Sequence, residues 1–425
     1  MRLMSCLSPA QRVGPKLVER LSSSIGSKNG TMPNAVLPGS HDGKANTEDV
    51  VSLTQALIHI DSSNPGMEAG VGETNIASFI SKWFEQRGIE THWIEPVPGR
   101  PSVVAIVRGS GSSKSLMFNG HLDTVTLTTY DGDALSGDLR EGKIYGRGAA
   151  DMKSGLAAAM MALAAARDAS LSGDVILTAV ADEEMESFGT EQVLQAGFRA
   201  DAAIVAEPTE MAIISSHKGL AIFYVDIEGR AAHGSRPDMG IDAICKAGYF
   251  LVEIDRLSNR LQSQGGVRDR LHAPNVHAGV IKGGAEVSSY PASCTISIER
   301  RTVAGETPES VQAELLLILD RLSSSVTDFK YNLRPSFFRA PFGISASHPF
   351  VETVATHAAK CMGSRPKIHG ETYWTDMALL AEAGIPGLIW GPNGYGLHAK
   401  TEWVEVESLQ KLTDAYREII MDFCA

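Results

Sequence analysis

Apolar residues recur along this chain at two spacings, and the switches between them mark out its elements. Over residues 51–60, and again through NIASFISKWFEQRG at residues 75–88, the spacing is helical. In the second segment Ile76, Phe79, Ile80, Trp83 and Phe84 share one stripe, and Gly88 supplies a C-terminal stop. SVVAIVRG and SLMFNG follow as apolar runs of strand length. From there to Glu207 strands alternate with helices, the pattern of an α/β layer structure. The longest apolar run, residues 155–166, is Ala-rich and closed by Arg167. It is too short to cross a membrane and predicts a helix lying close against the sheet.

Between about residues 218 and 337 the pattern changes. LAIFYVDIEG alternates, with Phe223, Val225 and Ile227 on one face. A long helix is expected from about residue 238 to 261. NVHAGVIKGG and SCTISIERRT then read as strands, the second alternating at Cys294, Ile296 and Ile298. Thr307-Pro308-Glu309 opens another helix with proline in its first turn, and FKYNLRPSF closes the stretch as a strand. The order β-α-β-β-α-β is that of a ferredoxin-like unit. The α/β pattern resumes with HPFVETVATHAAK and GLIWGP. The expected fold is therefore α/β, a central mixed sheet flanked by helices and interrupted by a βαββαβ insertion. The boundaries read as a flexible extension over 1–45, a first catalytic segment over 46–217, the insertion over 218–337, and a second catalytic segment over 338–425.

Composition narrows the partners. A chain of 425 residues suggests about two or three domains. A net charge of −12 argues against a nucleic-acid surface. Cys6, Cys245, Cys294, Cys361 and Cys424 are scattered with no CxxC, so neither a disulfide framework nor a thiolate metal site is expected, which suits a reducing compartment. Residues 1–30 carry Arg2, Arg12, Lys16, Arg20 and Lys28 against Glu19, with serines at 22–24. That composition fits a disordered extension of a cytoplasmic protein and is also compatible with a mitochondrial transit peptide.

Five potential metal ligands stand at the ends of apolar, strand-like runs: His121, Asp151, Glu184, Glu207 and His398. The carboxyl ends of strands in an open α/β sheet form its ligand crevice. Two imidazoles and three carboxylates converging there predict a site for two divalent metals and hence metal-assisted hydrolysis. Asp123, two residues past His121, is placed to accept the other ring N–H and fix the aim of the imidazole; a solvated turn also explains it. Asp151 fits either a bridging carboxylate or a helix N-cap. Of the adjacent Glu183 and Glu184, one can ligate while the other takes a proton from water, and spacing does not say which. His233, in GRAAHGSRPDMG, fits an oxyanion contact or a loop cap. His59, His92, His348 and His357 read as structural or exposed; His217, His272 and His277 stay undecided.

Taken as a set, NGHLDTV, GRGAADMKSG, ADEEMESFGTE, AEPT, GRAAHGSRPDMG, ERRTVAGET and LHAKTEW resemble the metallopeptidase family that includes acetylornithine deacetylase, succinyl-diaminopimelate desuccinylase, aminoacylase and carboxypeptidase G. They appear in the family's order over about residues 46–425, and the acidic segment looks most like the acetylornithine-deacetylase-like branch. Ala304 and Glu299 depart from the family's common Pro and Asp.

The resemblance implies a zinc-peptidase-type catalytic domain with a lid and dimerisation insert. It implies that His121 and Glu207 hold one zinc, that Glu184 and His398 hold the other, and that Asp151 bridges them, often with a cis peptide to Met152. Asp123 would orient His121, and Glu183 would be the general base. His233 would reach the active site of a partner subunit, while Arg301 and Asn275 would grip a substrate carboxylate.

The expected activity is zinc-dependent hydrolysis of the amide bond of N-acyl amino acids, with cobalt or manganese compatible with the same ligands. A carboxypeptidase or dipeptidase on short peptides, or a catalytically silent binding homologue, are the alternatives. The expected partners are a small substrate with a free carboxylate and a second copy of the chain, with no nucleic acid and no membrane.

Overall fold

The computed structural model describes residues 47–264 and 273–425. The extension expected over residues 1–45, and His272, lie outside them. Among the described residues no helix is long and apolar enough to cross a membrane.

A nine-stranded mixed sheet forms the floor of the molecule. Its centre consists of the mutually parallel strands Val175–Val180, Leu116–His121, Ala202–Val205 and Gly387–Ile389. Antiparallel strands Ser102–Val107 and Glu90–Ile94 extend one side. Ile213–His217 runs antiparallel on the other. Val175–Val180 and Leu116–His121 are buried throughout, which is why they read as unbroken apolar runs rather than alternating ones.

The two faces of the sheet feed different cores, because successive strand residues point to opposite sides. Phe118 joins Leu53, Phe84, Leu156, Trp390 and Tyr416 beneath the helices Val50–Ile58, Thr74–Glu85, Ser154–Ala166, Pro349–Met362 and Val406–Phe423. Its neighbour Met117 packs with Val104, Ile176 and Val205 under Phe188–Gln195 and Met377–Glu382. The helix stripe expected from Ile76 to Phe84 is realised in Thr74–Glu85, with Ile76, Ile80, Trp83 and Phe84 buried. Asp49 starts the first helix by accepting from the Val51 and Ser52 N–H groups, both at 2.9 Å.

The Ala-rich helix Ser154–Ala166 does lie close on the sheet. A Cβ on Gly155 would come within 1.9 Å of the Ala206 carbonyl oxygen, so only glycine allows this approach. That contact brings the segment after Asp151 against the segment before Glu207.

The insertion has the expected order. Gly219–Glu228, Asn275–Gly283, Ser293–Thr302 and Lys330–Arg339 form an antiparallel four-stranded sheet, backed by helices Ala243–Gln264 and Pro308–Ser325. Thr307 and Ser310 form a reciprocal cap at the start of the second helix, whose first residue is Pro308. Phe223, Val225, Ile296 and Ile298 line a core separate from that of the large sheet.

A third sheet was not expected. Asp138–Arg140, Lys143–Tyr145, Trp403–Glu405 and Gly394–Tyr395 pair as short antiparallel strands. It corrects the expectation that His398 stands at the end of a strand-like run. The strand stops at Ile389, and His398 lies in the loop between Gly394–Tyr395 and Trp403–Glu405, with a left-handed backbone at φ 60°. The glycines and Pro392 in that stretch end the strand early.

Candidate active site

The parallel strands deliver their C-terminal ends to one crevice. His121 ends its strand, Glu183 and Glu184 follow Val180 by a short turn at Asp182, and Glu207 follows Val205. Asp151 lies in an irregular turn, Ala149–Lys153, ahead of the Ala-rich helix, and makes no side-chain cap bond. This removes the N-cap explanation for Asp151. The Asp151–Met152 peptide is cis.

The five residues expected as ligands come together. His121 Nε2 lies 3.0 Å from Asp151 Oδ1 and 3.5 Å from Glu207 Oε1. His398 Nε2 lies 3.4 Å from Asp151 Oδ2 and 3.0 Å from Glu184 Oε2. Asp151 thus offers one oxygen to each imidazole. Ligand atoms of His121, Asp151 and Glu184 all fall within 4.8 Å of one another, as do those of His121, Glu183 and Glu207.

Asp123 plays a different part from the one expected of its side chain. The contact that orients His121 is made by the Asp123 carbonyl oxygen, 2.8 Å from Nδ1, while the carboxylate stands at 3.6 Å. The Asp123 carboxylate instead accepts from the Glu183 and Glu184 N–H groups, at 3.1 and 3.2 Å, and from the Asn64 amide at 2.7 Å. A two-residue spacing brings the main chain to the ring edge before the side chain can reach it.

Asn64 also donates to Asp182, at 3.0 Å, and Arg100 bridges Asp182 to the buried Glu73. The acidic turn is therefore braced from behind by a buried polar network and is not a solvated loop.

The electrostatics reflect six acids in a small volume. Burial, then the neighbouring Glu207, Asp376 and Glu184 carboxylates, push Glu183 well above the usual carboxylate range despite His121. Burial, reinforced by Asp151, Glu184 and Asp376, does the same to Glu207. Burial opposes a charge on His121, but Glu207, Asp151, Glu183 and Asp123 outweigh it and hold the imidazole well above its ordinary value. Hydrogen bonds to Asp151 and Glu184 lift His398 to about 10. Burial works against ionising Asp151, yet its two imidazole partners hold it below the usual range.

Three nearby residues carried no clear signal in the sequence. Asp376, at the head of an apolar helix, is buried, makes no cap bond, accepts from Thr190 Oγ1 at 2.6 Å and is lifted by burial to about 7. Tyr373 lines a cavity of 720 Å³ with Pro208 and Leu397, the neighbours of Glu207 and His398. Glu402 is buried beneath the Asp151 turn.

His233, Arg301 and Asn275 are not part of this cluster. All three lie in the inserted unit. His233 is exposed, its Nδ1 2.8 Å from Ser235 Oγ. Arg301 pairs with Glu299 at 2.5 Å, and Asn275 stands opposite Arg301 in the sheet and accepts from Lys218 at 3.3 Å.

Comparison with known proteins agrees with this geometry. The model of peptidase family M20/M25/M40 matches residues 117–422, a span that contains every ligand candidate. The acetylornithine deacetylase of Myxococcus xanthus is 29% identical over 381 residues, covering 88% of this chain and 94% of that one. The N-formyl-4-amino-5-aminomethyl-2-methylpyrimidine deformylase of Bacillus subtilis (strain 168) is 28% identical over 413 residues, covering 89% and 95%. The crystal structure of the aminopeptidase PepT from Bacillus cereus ATCC 10987 shares the fold, with a TM-score of 0.72 at 18% identity over 90% of this chain and 100% of that one. The chain belongs to peptidase family M20/M25/M40 and is a hydrolase.

Proposed function

We propose that this protein is a two-metal amidohydrolase that removes the acyl group from an N-acyl amino acid. Asp151 carries the reading. Its two oxygens face different imidazoles, and each imidazole is backed by one further carboxylate, Glu207 behind His121 and Glu184 behind His398. The chemistry of this donor set fits a pair of divalent ions, and so does the buried Oε1 of Glu184, which has no hydrogen-bond partner among the described residues. His121 and Glu207 would hold one ion, Glu184 and His398 the other, and Asp151 both. Nitrogen and oxygen ligands suit zinc and also accept cobalt or manganese. Such ions, when bound, polarise a carbonyl and acidify water.

Glu183 stands beside the cluster, grouped with His121 and Glu207, and pairs with no imidazole at ion-pair distance among the described residues. It is the general base, taking a proton from the attacking water and passing it to the leaving amine. Asp123, by holding the Glu183 and Glu184 N–H groups, fixes both side chains relative to His121.

His233, from a second copy of the chain, would stabilise the oxyanion. Arg301 and Asn275, adjacent on neighbouring strands, would receive the substrate carboxylate. Support for a second copy comes from the insertion. The edge strand Asn275–Gly283 exposes Val280 and Ile281, and the helix Ala243–Gln264 beside it exposes Tyr249 and Val252. An apolar open edge is what pairing would cover.

The test is a substrate panel on zinc-loaded protein, with chelated protein as control. N-acetyl and N-formyl amino acids should turn over faster than dipeptides. Faster dipeptide cleavage would make the protein a peptidase, and no turnover of either class would end the proposal.

A further inference from the structure

Glu402 is fully buried, four residues past His398, yet its carboxylate serves the turn that carries Asp151. Oε1 accepts from the Ala150 N–H at 2.9 Å and from the N–H of Asp151 itself at 3.0 Å. Oε2 accepts from the Gly148 N–H at 3.1 Å and from Arg147 Nη1 at 2.8 Å. Arg147 is equally buried, and its Nη2 reaches back to the Ala399 carbonyl, next to His398, at 2.9 Å. The connection therefore runs both ways. Glu402 leaves the His398 segment to hold the Asp151 backbone, and Arg147 leaves the Asp151 segment to hold the backbone beside His398.

Neither ligand has regular structure to fix it. Asp151 lies in the irregular turn with φ −113° and ψ 93°, and His398 is left-handed. A buried ion pair is a weak source of fold stability, because desolvation offsets most of its attraction. An apolar pair would fill the same space. What an apolar pair would not do is accept three main-chain N–H groups from one turn. We propose that Glu402 and Arg147 are positioning residues: they set the separation of Asp151 from His398 and so govern how firmly the ion at the His398–Glu184 end is held. This inference rests on the two-metal reading.

The variant Glu402→Gln tests it in the full chain. Glutamine is nearly isosteric, but its NH2 group must face either Gly148 and Arg147 or Ala150 and Asp151, where only acceptors fit. Zinc content and affinity are measured by competition with a chelator, alongside kcat and KM. One of the two zinc ions should be stripped about 10- to 100-fold more readily, with kcat falling by a similar factor. KM should stay within about twofold, because Glu402 does not face substrate.

A merely structural role would lower the melting temperature of the metal-free chain and leave zinc affinity of the folded protein unchanged; that result overturns the proposal. If Glu402→Gln does not fold, Glu402→Asp carries the test, since it keeps an acceptor-only carboxylate one methylene short. Weakened zinc binding in folded Glu402→Asp supports the proposal and unchanged binding overturns it. A wild-type chain that takes up fewer than two zinc ions would instead defeat the two-metal reading itself.

Discussion

Glu184 and His398 meet at 3.0 Å, Oε2 to Nε2, while the second oxygen of the same carboxylate is buried with no hydrogen-bond partner among the described residues. Leaving a buried acceptor unpaired costs about 1–3 kcal/mol. Half of Glu184 is thus satisfied by an imidazole and half by nothing among the described residues. Such an arrangement is uneconomical as a salt bridge and natural for a metal ligand.

Metal removal should therefore destabilise the protein in a pH-dependent way. In the metal-free chain Glu183, Glu184 and Glu207 are raised above the ordinary value of 4.5, and His121 and His398 above 6.5, His398 to about 10. Each raised group binds its proton more tightly folded than unfolded, so each loses stability as pH rises through its folded value. Asp151 has the opposite sign but acts only below its ordinary value of 3.8. Metal binding instead releases protons and strengthens with pH. The gap in melting temperature between zinc-loaded and chelated protein should widen from about pH 6 to 9. A gap that stays constant or narrows would remove these residues as the ligands.

Replacing Glu183 with Gln should leave zinc content near two per chain while kcat drops by roughly three orders of magnitude. Atomic emission on the purified variant, beside a progress curve, reads both quantities. Retained turnover would take Glu183 out of the mechanism.

The placement of His233 away from its own cluster predicts complementation. Glu183→Gln and His233→Ala chains should each be inactive alone. Mixed and allowed to exchange, they should regain activity, because a mixed dimer holds one site with an intact base and an intact partner His233. Absence of recovery in demonstrably mixed dimers would confine His233 to a structural role.

The proposed dimer should dissociate to a monomer in the double variant Val280→Lys, Tyr249→Asp, as followed by sedimentation velocity. Both side chains are about half exposed, so the fold itself should tolerate the change, with stability altered by less than about 1 kcal/mol. Persistence of the dimer would place the interface elsewhere.

Gly155→Ala should cost about 3 kcal/mol, since its Cβ meets the Ala206 carbonyl at 1.9 Å and one of the two segments must move. Because Ala206 precedes Glu207, zinc affinity should fall as well. Calorimetry and chelator competition check the two effects separately.

The sequence made some of this architecture readable and hid the rest for physical reasons. Strand ends at His121 and Glu207 were visible because the runs before them are buried on both faces and so continuously apolar. The βαββαβ order was visible because one face of its sheet is buried, which leaves strict alternation through Phe223, Val225 and Ile227. His398 was misplaced on a strand because two-residue strands such as Gly394–Tyr395 are too short to impose a period. Asp376, Asn64 and Glu402 escaped notice because each acts through groups distant in the chain, which a lone acid or amide in the sequence does not reveal. The orienting role of the Asp123 carbonyl was hidden for another reason: main-chain groups carry no residue-specific signal.

The chain crosses into the inserted unit just after His217 and returns just before Phe342, and those two residues are themselves partners in the large sheet. The unit is tethered at a single seam, like a page at its binding. Evolution can lengthen, trim or exchange such a module without re-threading the strands beneath it. Changes confined to that module leave the strand ends that carry His121 and Glu207 where they are.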